Sequence, residues 1–259
     1  MLAFDSETTR LLDIAYQGAD ITRRRQASFD ALRPNPGETI VDIGCGNGLL
    51  TAELARAVGP EGRVIGIDPS RDMRSVGEKR CQDYPNVEFV EGLANSLPLV
   101  DAIADKAVSV QVFEYVDGIE GAISEAMRCL KPGGRLVVSD LHFGSFIWFS
   151  EDPERMAKIK ASWDRHFVAG DVPERLPGIL KEQGHHVENV APVTLVDHVL
   201  KPDGLAIMMM QLMRQYATAN KHVDPDIANA WFDEQIELSR NGRFFFSITQ
   251  FVVSARKSA

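Results

Sequence analysis

Five short β-branched runs, separated by longer amphipathic stretches, constrain the fold of this chain most tightly. The runs are Thr39-Ile40-Val41-Asp42-Ile43, Val64-Ile65-Gly66-Ile67, Val87-Glu88-Phe89-Val90, Ala107-Val108-Ser109-Val110 and Arg135-Leu136-Val137-Val138-Ser139. Helix-like segments from Leu49 to Val58, Arg71 to Cys81 and Ile119 to Leu130 lie between them, and Gly59-Pro60 and Pro132-Gly133-Gly134 stop two of these. Strands apolar on both faces that alternate with helices predict an α/β fold, a mostly parallel sheet covered by helices on both sides.

Past Asp140 the rhythm loosens. A helix-like stretch containing Trp163 precedes another from Pro173 to Gln183, then a strand from Val187 to Val196. Helical patterns follow from Pro202 to Ala219 and from Pro225 to Ser239. The turn signal Asn241-Gly242 leads into a closing strand, Arg243 to Val253. At the other end, one or two helices from Thr8 to Leu32 are stopped by Pro34 and Pro36. The expectation is a single domain with a seven-stranded sheet. It comprises an N-terminal helical segment (1–36), a ligand-binding core (37–142), cap helices that include one sheet strand at about 187–196 (143–240) and a C-terminal strand (241–259). Helices inserted around 145–170 and 200–240 are expected over the carboxyl edge of the sheet, where ligands bind in such folds.

The segment Val41-Asp42-Ile43-Gly44-Cys45-Gly46-Asn47-Gly48 runs from the first strand straight into a helix. Glycines at alternate positions allow a tight turn and let a ligand lie against bare main chain, facing the free N–H groups of the helix start. Asp68 follows the second strand at the separation that sets a carboxylate opposite a ribose. Gly44, Gly46 and Gly48 do not have the spacing of a dinucleotide fingerprint, and Asp42 at the strand end opposes a pyrophosphate. An adenosyl ligand with a cationic amino-acid end, S-adenosylmethionine, fits this loop better.

With these motifs the chain resembles the class I S-adenosylmethionine-dependent methyltransferases, in particular their quinone and small-molecule group. Its glycine loop is similar to that family's first motif, and Ile67-Asp68-Pro69-Ser70 to its ribose-binding acid. Met73 falls where members set an apolar residue against the adenine. Gly92-Leu93-Ala94-Asn95-Ser96-Leu97-Pro98 resembles the loop beside the adenine amine, with Leu93 where members commonly carry aspartate. Val110-Gln111-Val112-Phe113-Glu114-Tyr115-Val116 and Leu130-Lys131-Pro132-Gly133-Gly134-Arg135-Leu136 match the family's fourth-strand and pre-fifth-strand segments, so the likeness runs over about 38–140. The resemblance implies strand order 3-2-1-4-5-7-6 with the seventh strand antiparallel. It also implies a cofactor site built from Asp42, Gly44, Cys45, Gly46, Gly48, Asp68, Pro69, Met73, Gly92, Leu93, Ala94 and Gln111.

Methyl transfer from a sulfonium needs an aligned nucleophile more than a catalytic triad, and a base only where the nucleophile keeps a proton. Glu114, Asp140 and His142 stand near the ends of the fourth and fifth strands. His142 is the preferred base, because imidazole titrates near neutrality. The other reading of His142 is a strand-end histidine bonded to the backbone. His166 reads as a surface residue, and His185-His186 as a helix end without further metal-ligand spacing. Phe143, Phe146, Trp148 and Phe149 form an aromatic group, of which Phe146 and Trp148 are expected to line the substrate pocket or, alternatively, to pack a lid. Met208-Met209-Met210 and Met213 suit a pocket, an oligomer face or core packing. Tyr16 is expected to close over the cofactor's amino-acid end, with Arg23 or Arg25 meeting its carboxylate.

A formal charge of −9 argues against nucleic acid as a partner, and Arg23-Arg24-Arg25 reads as a solvated helix face from which at most one arginine reaches an anion. Cys45, Cys81 and Cys129 have no close pairing and suit reduced thiols in a cytoplasm. No apolar run approaches the roughly 18 residues of a spanning helix. The expected partner is a small-molecule substrate, with no membrane, no metal and an open oligomeric state that a homodimer would satisfy. Competing readings are a nicotinamide-dependent oxidoreductase, for which the chain lacks a Tyr-x-x-x-Lys pair, and a non-catalytic S-adenosylmethionine-binding module.

Overall fold

The computed structural model of the chain describes Tyr16 and residues 18–258. Its element order is α1 (Ala19–Leu32), β1 (Thr39–Ile43), α2 (Leu49–Val58), β2 (Arg63–Ile67), α3 (Arg71–Arg80), β3 (Val87–Val90), β4 (Ala104–Val110), α4 (Ile119–Cys129), β5 (Leu130–Trp148), α5 (Pro153–Asp164), α6 (Val172–Glu182), β6 (His186–Asp197), α7 (Leu205–Ala219), α8 (Pro225–Arg240) and β7 (Phe246–Arg256), with a 3₁₀ turn at Phe113–Tyr115. The seven strands form one sheet in the order β3-β2-β1-β4-β5-β7-β6. Strands β1 to β5 pair in parallel, and β7 runs antiparallel to both of its neighbours. Both the fold class and the strand order expected from the sequence are therefore present.

The sheet is covered on both faces because its inner strands are apolar on both faces. One face buries Val41, Ile43, Leu136 and Val138 against Ile119 and Ile123 of α4 and Leu176 and Leu180 of α6. The other buries Ile40, Val64, Val108 and Val137 against Leu32 of α1 and Leu50 and Leu54 of α2. A third cluster joins the far ends of β5 and β7 to α5, α7 and α8, around Trp148, Trp231, Phe246, Met209 and Met213. Of the three readings of the methionine run, core packing describes Met209, Met210 and Met213, which are all buried there.

Three features differ from expectation. Strand β5 does not stop near Ser139. It runs on to Trp148, paired with β7 through a register shift between His142 and Ile147. Phe143 and Phe146 therefore fall in the irregular stretch of this strand, and Trp148 pairs with Phe246. Helix α6 does not sit in a cap. Its apolar stripe lies on the sheet face beside α4, which leaves α5, α7 and α8 as the group over the strand ends. The closing strand begins at Phe246 instead of Arg243, because Gly242 (φ 68°) ends α8 and the lead-in residues cross over to Phe149.

Candidate active site

At the carboxyl end of β1 the loop turns under conditions that only glycine meets. Gly44 adopts φ 70°, and a Cβ there would lie 2.2 Å from Cγ2 of Val112. Gly48 adopts φ 75°, and its Cβ would lie 2.8 Å from the Gly77 Cα. Gly46 also has positive φ (52°), yet a Cβ there would meet nothing within 4 Å. Gly44 and Gly48 are thus required by packing, whereas Gly46 keeps bare main chain beside open space. The loop is anchored by the Gly44 and Cys45 amides, which donate to the Ile67 carbonyl at 2.7 and 3.0 Å.

Asp68, at the end of β2, accepts the Gly46 amide at 3.0 Å and the Ser70 amide at 2.8 Å. Burial raises its carboxyl above the usual range, while these two amides and Arg74 act in the other direction. Arg74 donates to the Asp68 carbonyl at 2.6 Å and pairs with Glu91, which fixes the backbone that carries the acid. Asp42 is buried under the loop and accepts the Thr51 hydroxyl at 2.7 Å. Burial pushes its carboxyl up to about 7. Cys45 is buried and its thiol is raised by the same cause, so it fills space and is not a nucleophile.

Around this centre, Met73 is buried at the start of α3, whose N-cap Ser70 accepts its amide. Pro69 is exposed beside it. Gly92 is packed so closely that a Cβ would lie 2.6 Å from Pro98. Ala94 is buried, and Leu93 presents an exposed side chain. Gln111, at the end of β4, takes the left-handed conformation (φ 56°) and donates its amide to the Ser139 carbonyl at 2.8 Å. The residues expected to hold the cofactor thus come from the carboxyl ends of β1, β2, β3 and β4. Glycine main chain beside open space, a ribose-side acid and a buried acid beneath form a donor set that fits S-adenosylmethionine.

The structure adds a group that sequence reasoning missed. Arg24, the middle residue of the triplet read as a solvated face, is 1% exposed. Its Nε donates to Gln250 Oε1 at 2.7 Å, and Gln250 returns a bond to the Arg24 carbonyl. Burial lowers its pKa to about 10, while Glu114, Tyr16 and Asp140 oppose that. Glu114 and Asp140 are fully buried, and burial raises both carboxyls, that of Asp140 to about 7. Tyr16 is pushed up to about 12 by burial, and it feels the charges of Arg24, Glu114 and Asp68 together. Arg23 is exposed, and Arg25 is committed to Glu53 at 2.9 Å and to the Tyr16 carbonyl at 3.1 Å. The missed signal was spacing: Ile21, Arg24, Ser28 and Leu32 recur on one helical face, and all four are buried.

His142 is engaged elsewhere. Its Nε2 bonds Glu174 of α6, its ring meets Phe251 edge-on at 5.8 Å, and it packs over Gly144. None of these contacts belongs to the glycine loop. His166 is not a surface residue. It is 2% exposed, with Nδ1 bonded to the Trp163 carbonyl at 2.9 Å, so Nε2 accepts from the Tyr115 hydroxyl at 3.3 Å. Burial lowers its pKa to about 4, which keeps the ring neutral. Its ring stacks against Trp163 and Phe167, and Phe167 in turn contacts Phe143 at 3.8 Å.

Phe146 and Trp148 pack on each other and on Phe246, and the Trp148 indole donates to the buried Gln235 at 2.8 Å. Trp148 also edges an open, mostly apolar groove of about 720 Å³ with Phe149, Met156, Lys160 and Phe245. That groove shares no lining residue with the glycine loop, Asp68 or Glu114. No helix among the described residues is long and apolar enough to cross a membrane.

Residues 41–138 match the family model described as "Methyltransferase domain". The chain is 31% identical over 239 residues to an uncharacterized 37.1 kDa protein in transposon TN4556 of Streptomyces fradiae, covering 90% of this chain and 66% of that protein. It is 31% identical over 172 residues to the demethylmenaquinone methyltransferase of Symbiobacterium thermophilum, covering 58% of this chain and 68% of the relative. Other curated relatives are spanned over about half of their length. The crystal structure of the YcgJ protein from Bacillus subtilis superposes with a TM-score of 0.62 at 18% identity, over 92% of this chain and 99% of that one. At that identity the likeness establishes the fold.

Proposed function

The chain belongs to the S-adenosylmethionine-dependent methyltransferases of class I, and we propose that it methylates a small, largely apolar acceptor held over the ends of β4 and β5. Its cofactor is S-adenosylmethionine, which supplies an electrophilic methyl group on a sulfonium. The observation that carries the proposal is the position of Tyr16. Its carbonyl is held by Arg25 at 3.1 Å and its ring packs against the third cluster, at the entry to the helix whose Arg24 is buried against β7, which supports one site shared by cofactor and acceptor.

The residues divide the work. Asp68 and the Gly46 main chain orient the nucleoside, and Asp42 gives its amino-acid end a negative neighbour. The packed rings of Phe143, Phe167, Trp163 and His166 keep water from the reacting end, where a dry environment strengthens every electrostatic contact. A protein with a net charge of −9 and three free, buried cysteines suits a cytoplasmic enzyme acting on small molecules and not on nucleic acid.

Incubation with S-adenosylmethionine and panels of phenolic, quinol and amine acceptors, read as S-adenosylhomocysteine formed, tests the proposal. Acceptor-dependent product supports it. Cofactor binding with no product across the panels would favour a non-catalytic binding module.

A further inference from the structure

Three buried polar atoms have no hydrogen-bond partner among the described residues: Arg24 Nη1 on α1, Glu114 Oε2 in the turn after β4 and Asp140 Oδ2 within β5. Leaving one such atom unpaired is costly, and leaving three in one electrostatic neighbourhood is more so. Their other atoms are firmly held. Asp140 Oδ1 accepts the Val112 amide at 3.1 Å, and the Phe113 and Glu114 amides also face this carboxylate. Arg24 is fixed through Gln250, and the Glu114 backbone through the Val168 and Ala169 amides, which donate to its carbonyl at 2.9 and 3.1 Å. The Ser28–Ser139 hydroxyl bond at 2.9 Å holds the helix of Arg24 beside Asp140, so three unpaired polar atoms share one buried neighbourhood that a ligand hydroxyl would satisfy.

We propose that Arg24, Glu114 and Asp140 form the subsite for an ionisable hydroxyl of the methyl acceptor, a phenol or an enol, with Asp140 Oδ2 taking its proton. The inference rests on the methyltransferase reading and specifies its acceptor. The acceptor O–H bond breaks, an O–H bond forms on Asp140, and the electron pair stays on the acceptor oxygen. That oxyanion then faces the Arg24 guanidinium and the Glu114 carboxyl. An amine acceptor suits the set less well, because a buried guanidinium beside it disfavours any positive charge on nitrogen.

The roles of the two carboxyl groups follow from their surroundings. The charged and titratable groups around them are Arg24 from α1, Tyr16 ahead of it, Tyr115 in the turn after β4, and Asp68 reached through Tyr16. Asp140 has backbone N–H groups that favour its anion, and its position near 7 suits a base at neutral pH. Burial and the neighbouring Asp140 raise the Glu114 carboxyl well above the usual range, against Arg24, the Tyr115 hydroxyl and the Leu141 amide, and in this proposal it keeps its proton and donates. A buried carboxyl that stays neutral in order to donate is an established device for holding an oxyanion.

The test uses the full chain saturated with S-adenosylhomocysteine and 4-nitrophenol as probe, at a pH below that at which free probe ionises. Phenolate absorbance should appear on binding, disappear in Arg24→Gln and persist in Glu114→Gln, whose amide still donates. A pH indicator should detect more protons released per bound probe in Asp140→Asn than in the parent protein, because an amide cannot take the proton. Asp140→Asn keeps an oxygen for the Val112 amide, and circular dichroism checks that each variant is folded. No phenolate in the parent protein, or equal proton release by the parent protein and Asp140→Asn, overturns the inference. So does loss of S-adenosylhomocysteine affinity in the folded Arg24→Gln or Asp140→Asn variant, because these atoms would then hold the cofactor's amino-acid end. Failure of the parent protein to bind S-adenosylhomocysteine would instead strike the methyltransferase reading itself.

Discussion

The Asp68 carboxylate accepts the Gly46 amide at 3.0 Å, which ties the acid at the end of β2 to the open face of the glycine loop. One carboxylate therefore shapes the loop and is the group proposed to hold the ribose. Asp68→Ala is expected to weaken S-adenosylhomocysteine binding by about 10- to 100-fold, the range for losing charge-assisted hydrogen bonds of roughly 1.5–3 kcal/mol. Calorimetric titration checks this, and an unchanged Kd would remove Asp68 from the site.

Gly44 and Gly46 separate packing from ligand contact. Gly44→Ala puts a methyl group 2.2 Å from a Val112 methyl at φ 70°, so it should lower stability much more than Gly46→Ala does. Gly46→Ala meets no protein atom and should cost only the roughly 1–2 kcal/mol of a left-handed alanine. Its Cβ projects into the space left for the ligand, and S-adenosylhomocysteine affinity should fall at least about tenfold. Denaturation midpoints and Kd values measured side by side decide the matter. Equal destabilisation by the two substitutions would contradict the assignment.

Asp42 makes stability depend on pH with a definite sign. Its folded pKa, near 7, lies above the ordinary aspartate value, so the folded state holds a proton that the unfolded chain releases. The contribution is fully present below about pH 4 and is lost as pH rises to about 7. Asp42→Asn should therefore gain on the parent protein between those limits, by an amount on the order of a few kcal/mol at most. Urea midpoints at pH 5 and pH 8 test the direction. A parent protein that gains on the variant as pH rises would refute it.

Trp148 is expected to serve packing more than cofactor binding. Trp148→Phe leaves the buried Gln235 oxygen without its indole donor and should cost about 1–3 kcal/mol. The S-adenosylhomocysteine Kd should not move, because the Trp148 contacts lie in the third cluster and its groove. A matching loss of affinity would show that the groove communicates with the cofactor site.

Much of the sheet was legible because its signals are local. Val64-Ile65-Gly66-Ile67 reads as a buried strand, and Gly59-Pro60 ends a helix wherever it stands. The turn of the glycine loop was legible for the same reason, and Asp68 lies within hydrogen-bond distance of it. What was missed depends on long-range partners. Arg24 is buried through Gln250, 226 positions away, and the run Arg23-Arg24-Arg25 hid the helical face that it occupies. Strand β5 continues past Ser139 only because β7 lies beside it, and His142 is drawn off by Glu174 on a helix that was expected at Pro173 to Gln183 but whose packing on the sheet face depends on long-range partners.

The most direct test of the account is a thermal-shift titration of the purified chain with S-adenosylmethionine, S-adenosylhomocysteine and NADH. A ligand at 100 times its Kd adds roughly 2.7 kcal/mol to stability. The account predicts a saturable rise in Tm of a few degrees with both adenosyl ligands, and none with NADH. A shift with NADH alone would contradict the cofactor assignment and the function built on it.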